Sequence, residues 1–218
     1  MQLFCQAFEL IMKIYKYYLF TLVIVLIDQA VKLSVYFFME MGPLGEIKLV
    51  GDLFKLHYTL NPGMAFGLEL GSVYGKFLLS GFRIFAVFAI AYYLYDMIVK
   101  NTPTGLLWCV AAILGGAIGN VIDSTFYGVL INNAPYGAPT PWFHGQVIDM
   151  FYIDIWEGYL PDWLPLIGGQ YYAFWPIFNI ADASIFIAVL VILIFQKKFF
   201  KEDSIPSVGN IQEPSPTN

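Results

Sequence analysis

Four stretches of this chain, residues 17–38, 74–99, 104–122 and 176–195, are each long and apolar enough to cross a bilayer. No other feature restricts the fold as much. A hydrocarbon core of about 30 Å needs about 20 apolar helical residues per crossing. Lipid offers a spanning backbone no partners, so such stretches are expected to cross as helices. The charges agree: only 12% of the 218 residues are charged, about half the usual share of a soluble domain. Mean hydropathy is +0.67. A soluble enzyme and a disordered chain are thereby excluded. With 11 Lys+Arg against 16 Asp+Glu, the chain also lacks the basic surface that a phosphate backbone requires, so no nucleic-acid partner is expected. Two cysteines, Cys5 and Cys109, make no disulfide framework.

The expected fold class is an all-α membrane protein, with four transmembrane helices and a small extracytoplasmic β element. Residues 1–201 form one domain, and residues 202–218, rich in Ser, Pro and Asn, a disordered tail. Pro103 and Pro176 are expected at helix starts, where a missing N–H is harmless. Gly115 and Gly119 have the small-xxx-small spacing of close helix packing. Lys13, Lys16, Lys100, Lys197, Lys198 and Lys201 mark one side of the membrane, and residues 124–196 contain no Lys or Arg. The positive-inside rule then puts both termini in the cytoplasm, although Lys32, Lys48, Lys55 and Lys76 oppose the bias. Two insertions, residues 42–71 and 124–175, face outward. In the first, Phe54, Leu56, Tyr58 and Leu60 alternate with Lys55, His57, Thr59 and Asn61, a strand pattern, and Asn61-Pro62-Gly63 supplies a turn. The second holds four of the five Trp and reads as an aromatic cap resting at the headgroups.

Ionisable groups inside spans are costly and are usually functional. At 1.5 Å per residue, Asp28, Asn120, Asp123, Asn179 and Asp182 from three spans fall roughly 15–30 Å above the cytoplasmic ends, in one outer layer. Arg83 enters the second span by roughly 14 Å, nearer mid-membrane, where it reads as a snorkelling cation or as neutralising one acid and looks too deep for that layer. Structural readings compete for some of these residues. Asp28 can pair with Lys32 one turn along its helix, and Asn120 with Asp123 can cap the exit of the third span. Asn179-Ile180-Ala181-Asp182 reads as lying inside the fourth helix, beyond what a cap serves. Two close carboxyl groups share one proton over a wide pH range. The ionised member can deprotonate a water while the protonated one donates to a carbonyl. The rival use of such acids is an ion or proton pathway, so a small ion-coupled carrier is the alternative function.

Five local motifs resemble one family, lipoprotein signal peptidase (signal peptidase II). They are Asp28-Gln29-Ala30-Val31-Lys32, Asn61-Pro62-Gly63-Met64-Ala65-Phe66-Gly67, the run Gly115 to Asp123, Gly145-Gln146-Val147-Ile148-Asp149, and the run Trp175 to Asp182. Their order along the chain makes the resemblance specific. It implies an aspartic endopeptidase of the bacterial inner membrane, with its active site near the outer leaflet and no cofactor or metal. The implied substrate is a diacylglyceryl-modified prolipoprotein, cut just before the lipidated cysteine, and the implied partners are that precursor and membrane lipid, the enzyme being a monomer. Asp149 and Asp182 are implied as the catalytic dyad; depth alone selects Asp182 but not Asp149. Asp28, Lys32, Asn61, Gly63, Asn120, Asp123 and Asn179 are implied to position substrate or support the dyad. The chain departs from the pattern at Ser124, where the family usually has Arg, and in its longer segments 125–144 and 152–174.

Overall fold

The computed structural model describes residues 1–62, 73–165, 168–169, 171–173 and 175–200; residues 73, 74 and 171–173 are described by their backbone alone. Gly63, the rest of its loop through Gly67, and the tail 202–218 lie outside the described residues. Three described helices are long and apolar enough to cross a membrane, and a fourth is apolar but shorter. They are α1 (Gln2–Phe38), α2 (Val73–Val99), α3 (Thr104–Ile122) and the short α5 (Ile180–Ile194). A π-helical turn (Asp123–Tyr127) and a single turn α4 (Gly128–Leu130) prolong α3, and α6 (Gln196–Phe199) follows α5.

The buried positions of α1 are Tyr17, Thr21, Val25, Asp28, Lys32 and Val35. Steps of three and four residues put them on one face of a 3.6-residue helix. The opposite face exposes Leu19, Leu22, Val23, Leu26 and Ile27, as a lipid-facing surface does. With no water to expel between spans, close approach must come from small side chains. Gly115 meets Ile24 and the Thr21 carbonyl of α1, Gly119 meets Asp28, and Gly116 meets the Ala181 carbonyl of α5. The glycine pattern therefore packs α3 between α1 and α5.

Lys13 Nζ, about three turns into α1, donates to Asn101 Oδ1 at 2.8 Å, tying α1 to the turn between α2 and α3. Asn101 ends α2 in the left-handed region, φ +53°, a conformation asparagine tolerates. Phe199 of α6 lies against Gly105 at the same end. An apolar core including Tyr17, Leu94, Ile98, Leu107, Ala111 and Leu114 fills this half of the bundle.

At the other end the two insertions share one sheet. Strands β1 (Ile47–Val50), β2 (Phe54–Asn61) and β3 (Val147–Ile153) run antiparallel in the order β1-β2-β3. The strand expected from the alternation at 54–61 is β2. The second insertion is more than a cap, because its residues 147–153 become the third strand. A separate hairpin pairs β4 (Glu157–Tyr159) with β5 (Tyr171–Ala173). Tyr58, Ile148 and Met150 pack with Val35 and Tyr127 into a second apolar core. Polar residues lie between the two cores.

Two expected boundaries move. The first helix begins at Gln2 rather than Tyr17, since residues 2–16 contain no Gly or Pro to stop it. The fourth helix does not begin at Pro176. Phe178 pairs with Phe151 of β3 through Phe178 N–H to Phe151 O (3.0 Å) and Phe151 N–H to Phe178 O (2.8 Å). That extended pairing delays the helix to Ile180, and Asn179 is its N-cap, with Oδ1 accepting from the Asp182 N–H at 3.0 Å. The motif read as helix interior is thus the helix start.

Candidate active site

Asp149 sits on β3 opposite Thr59 of β2 and is 1% exposed. Its two oxygens have separate donors: Asn179 Nδ2 to Oδ1 at 2.6 Å and Asn61 Nδ2 to Oδ2 at 3.0 Å. Burial foremost, then the nearby charge of Asp182, pushes the Asp149 carboxyl up to about 7, while the two amide bonds pull it down. Desolvation therefore outweighs hydrogen bonding here.

Asp182 lies in the first turn of α5, and its Oδ1 accepts from Asn120 Nδ2 of α3 at 2.8 Å. Asn179 joins the two acids: it caps the helix that carries Asp182 and donates to Asp149. The backbone pairing of Phe178 with Phe151, two residues beyond Asp149, holds β3 and the start of α5 in register. Asn179 Nδ2 also donates a hydrogen bond to Asn120 Oδ1 at 3.3 Å.

Beneath this pair lies a buried charge cluster. Lys32, 0% exposed, places Nζ 2.9 Å from Asp28 and 2.8 Å from Asp123, both 0% exposed, and donates to Asn120 Oδ1 at 3.0 Å. Asp28 pairs with Lys32 as the structural reading expected, but also accepts from the Ala181 N–H at 2.9 Å. That amide is one of the orphan donors at the start of α5, where a carboxylate is favourable. Asp123 is not a simple exit cap, since it serves Lys32 from the π turn.

The fixed ends of Lys32 determine how Asn120 points. An ammonium can only donate, so the Asn120 oxygen must face Lys32 and its NH2 must face Asp182. One cation thereby sets the orientation of an amide that holds the more open acid.

Asp28, Lys32, Asn61, Asn120, Asp123, Asn179, Asp149 and Asp182 are thus all brought together, and Gly63 is outside the described residues. Sequence reasoning gave Gln29 no role and placed Ser124 and Arg83 without their contacts. Gln29 donates to Asp123 Oδ1 at 2.9 Å and accepts from Tyr127 OH at 2.9 Å; its place beside Asp28 was the available signal. Ser124 Oγ donates to the Asn120 carbonyl at 2.9 Å and accepts from Arg83 Nη1 at 3.0 Å. Arg83 is therefore not too deep. Its side chain climbs from α2 to the end of α3, a reach that residue counting along one helix does not include. Among the described residues no three His, Cys, Asp or Glu side chains are grouped to hold a metal ion.

A family model described as signal peptidase (SPase) II matches residues 20–198. A lipoprotein signal peptidase of Amoebophilus asiaticus (strain 5a2) is 53% identical over 183 residues, covering 84% of this chain and 78% of the relative. One from Porphyromonas gingivalis is 40% identical over 182 residues, covering 78% of each chain. A bacterial membrane enzyme solved by the in meso method at 1.9 Å is similar in fold, with a TM-score of 0.55 at 24% identity over 85% of this chain and 94% of that one.

Proposed function

This chain belongs to the signal peptidase II family, and on that premise we propose that it is an aspartic endopeptidase with Asp149 and Asp182 as its catalytic dyad. The family supports the broader activity, removal of the signal peptide from prolipoproteins. The finer reading is that cleavage falls just before a diacylglyceryl-modified cysteine. The observation carrying the dyad is that one asparagine, Asn179, binds Asp149 and caps the helix bearing Asp182, so two carboxyl groups from distant segments are brought to one site.

The pair shares one proton, held by Asp149 because its buried position disfavours charge. Ionised Asp182 takes a proton from water as the water oxygen bonds to the scissile carbonyl carbon, and Asp149 donates its proton to the carbonyl oxygen. Asp182 then protonates the peptide nitrogen as the C–N bond breaks, and the hydroxyl proton of the collapsing intermediate returns to Asp149. The signal peptide leaves as a carboxylic acid, which gives its remaining proton to solvent, and the lipidated cysteine leaves with a free amine. Asn61, Asn120 and Asn179 hold the dyad; Asp28, Lys32 and Asp123 hold Asn120 and the start of α5. Gly63 is assigned with them to substrate positioning or dyad support.

In this reading all four helices cross the inner membrane as one domain of residues 1–201, followed by the cytoplasmic tail 202–218. The fourth crossing is residues 176–195: the 15 residues of α5, about 22 Å of helix, with the extended residues that lead into it. The end bearing Lys13, Lys16, Lys100, Lys197 and Lys198 faces the cytoplasm, and the dyad lies near the outer leaflet. The enzyme works as a monomer. The ion-coupled carrier is not favoured by the family. The test is processing of a lipidated precursor by purified protein: Asp149→Asn and Asp182→Asn are each expected to abolish it while the protein stays folded. Wild-type processing by either variant refutes the dyad.

A further inference from the structure

Away from the acids, the face of α3 that carries Leu106, Val110 and Ile113 is the floor of a groove of about 270 Å³. Steps of four and three residues keep those side chains in one line. Ile90, Tyr93 and Met97 of α2 form one wall with the same spacing, and Ile192 of α5 forms the other. The groove exists because α2 and α5 each pack on α3 and scarcely on each other. Phe200, just beyond α6, closes it at the lysine-bearing end of the bundle.

Depth and chemistry restrict the occupant. Met97, Leu106 and Val110 are only 4–6% exposed although they border open space, so the groove is deep and narrow. A helix is about 10–12 Å across and too wide to reach that floor, whereas an acyl chain is not. Water needs several polar partners, and among the lining side chains only Tyr93 carries a hydroxyl. An empty groove forfeits dispersion contacts along its length. The chain's own tail is a poor filling, since Ile205, Val208 and Ile211 are its only large apolar residues over 202–218.

Charge at the closed end selects the headgroup. Lys197 and Lys198 of α6 lie within one turn of Phe200, are exposed, and make no ion pair among the described residues. Lys100 continues the α2 wall beyond Met97, but Asp96 at 2.6 Å already answers its charge. Two uncompensated ammonium groups therefore stand at the end of an apolar groove, which matches a phosphate at the end of an acyl chain. Basic pockets between helices on the cytoplasmic side suit anionic headgroups in this way.

We propose that the groove binds one anionic phospholipid of the cytoplasmic leaflet. An acyl chain lies along α3 between α2 and α5, and Lys197 and Lys198 hold the phosphate. The bound lipid braces α2 against α3 at the end of the bundle remote from the dyad. This inference rests on the membrane reading of the bundle and is independent of the dyad.

The test uses the purified full chain in neutral detergent, titrated with phosphatidylglycerol or with phosphatidylcholine of the same acyl chains. Native mass spectrometry counts bound lipid, and tryptophan fluorescence reads Tm. Wild type is expected to bind one phosphatidylglycerol about thirtyfold more tightly than phosphatidylcholine, about fivefold for each lysine, and to melt higher with it. Lys197→Gln/Lys198→Gln should bring the two lipids within about threefold of each other. Ile192→Trp fills the groove and should weaken both lipids about tenfold, the loss of roughly two buried methylenes; Ile90→Trp does the same from the other wall. Lys48→Gln, exposed at the opposite end, should change neither. Equal wild-type affinity for the two lipids overturns the proposal, as does an undiminished preference in the double lysine variant. Wild-type phosphatidylglycerol binding in whichever groove-filling variant folds also overturns it. Displacement of the lipid by an equal concentration of lipidated precursor assigns the groove to the signal peptide instead, and a dimer lost in Ile192→Trp assigns it to a second copy; either result overturns the lipid site. Processing measured on the same samples separates the failures: a chain that cleaves precursor but shows no lipid preference refutes this site and leaves the dyad standing.

Discussion

Replacing Lys32 by methionine tests the buried charge cluster most directly. The substitution keeps an unbranched side chain of similar length and removes the ammonium. What remains is Asp28 and Asp123, two carboxylates with no exposed surface that have lost contacts of 2.9 and 2.8 Å. Asp28 keeps the Ala181 N–H and Gln29, and Asp123 keeps Gln29, so neither is stripped of partners, yet nothing balances their charge. Breaking a buried pair by removing one member costs about 3–5 kcal/mol. For a chain of this size, about 2–4 °C of Tm accompanies each kcal/mol, which makes the expected fall about 6–20 °C. Intrinsic tryptophan fluorescence during heating in detergent reads it out. The triple variant Asp28→Asn/Lys32→Met/Asp123→Asn removes the stranded charges as well and should recover most of that loss, since a neutral buried set is often no less stable than an ionic one. It should not recover processing, because Asn120 no longer has a cation to fix which way its amide points. A Lys32→Met protein melting within about 2 °C of wild type, on the same scale, refutes the reasoning, as does a triple variant that melts no higher than the single one.

The dyad predicts an alkaline limb in kcat/KM near pH 7, because Asp149 is pushed up to about 7. The sign follows from the folded state holding the proton more tightly than the unfolded chain: this contribution to stability is full below about pH 4 and is lost as pH rises through the folded value. Asn61→Ala removes a bond that pulls Asp149 down, so its limb should move to higher pH; a limb unchanged in a pH–rate profile contradicts that. In Gly116→Ala the new methyl runs into the Ala181 carbonyl, displacing the start of α5 and with it Asp182. Processing should fall at least about tenfold with a lower Tm, the usual cost of overpacking being about 1–3 kcal/mol. Gly81→Ala, where a methyl meets nothing within 4 Å, is the control and should be neutral in both measurements.

Much of the bundle was legible because membrane crossing is a one-dimensional property. Length and apolarity suffice to identify α2 and α3, and their bounds agree with expectation within a residue. The β2 strand was legible for the same reason, its period of two being local. The fourth helix start was misplaced because a pairing between Phe178 and Phe151, 27 residues apart, delays it, and no local pattern reports that contact. Arg83 was misjudged because depth was counted along the backbone, whereas an arginine side chain carries its charge well away from its own Cα.

The sequence by itself determined that the chain is built for a membrane, and that a few aspartates and asparagines share one level across separate helices. Both follow from helical rise and the scarcity of charge, which need no knowledge of neighbours. It left Asp149 as one acid among several in an outward insertion, singled out only by resemblance. Tertiary structure alone decided its neighbourhood. The β2–β3 pairing and the Phe178 bridge carry Asp149 to the cap of α5, where Asn61 and Asn179 hold it and burial raises its proton affinity. Proton affinity depends on the groups within a few ångströms, and those groups come from segments that only folding brings together.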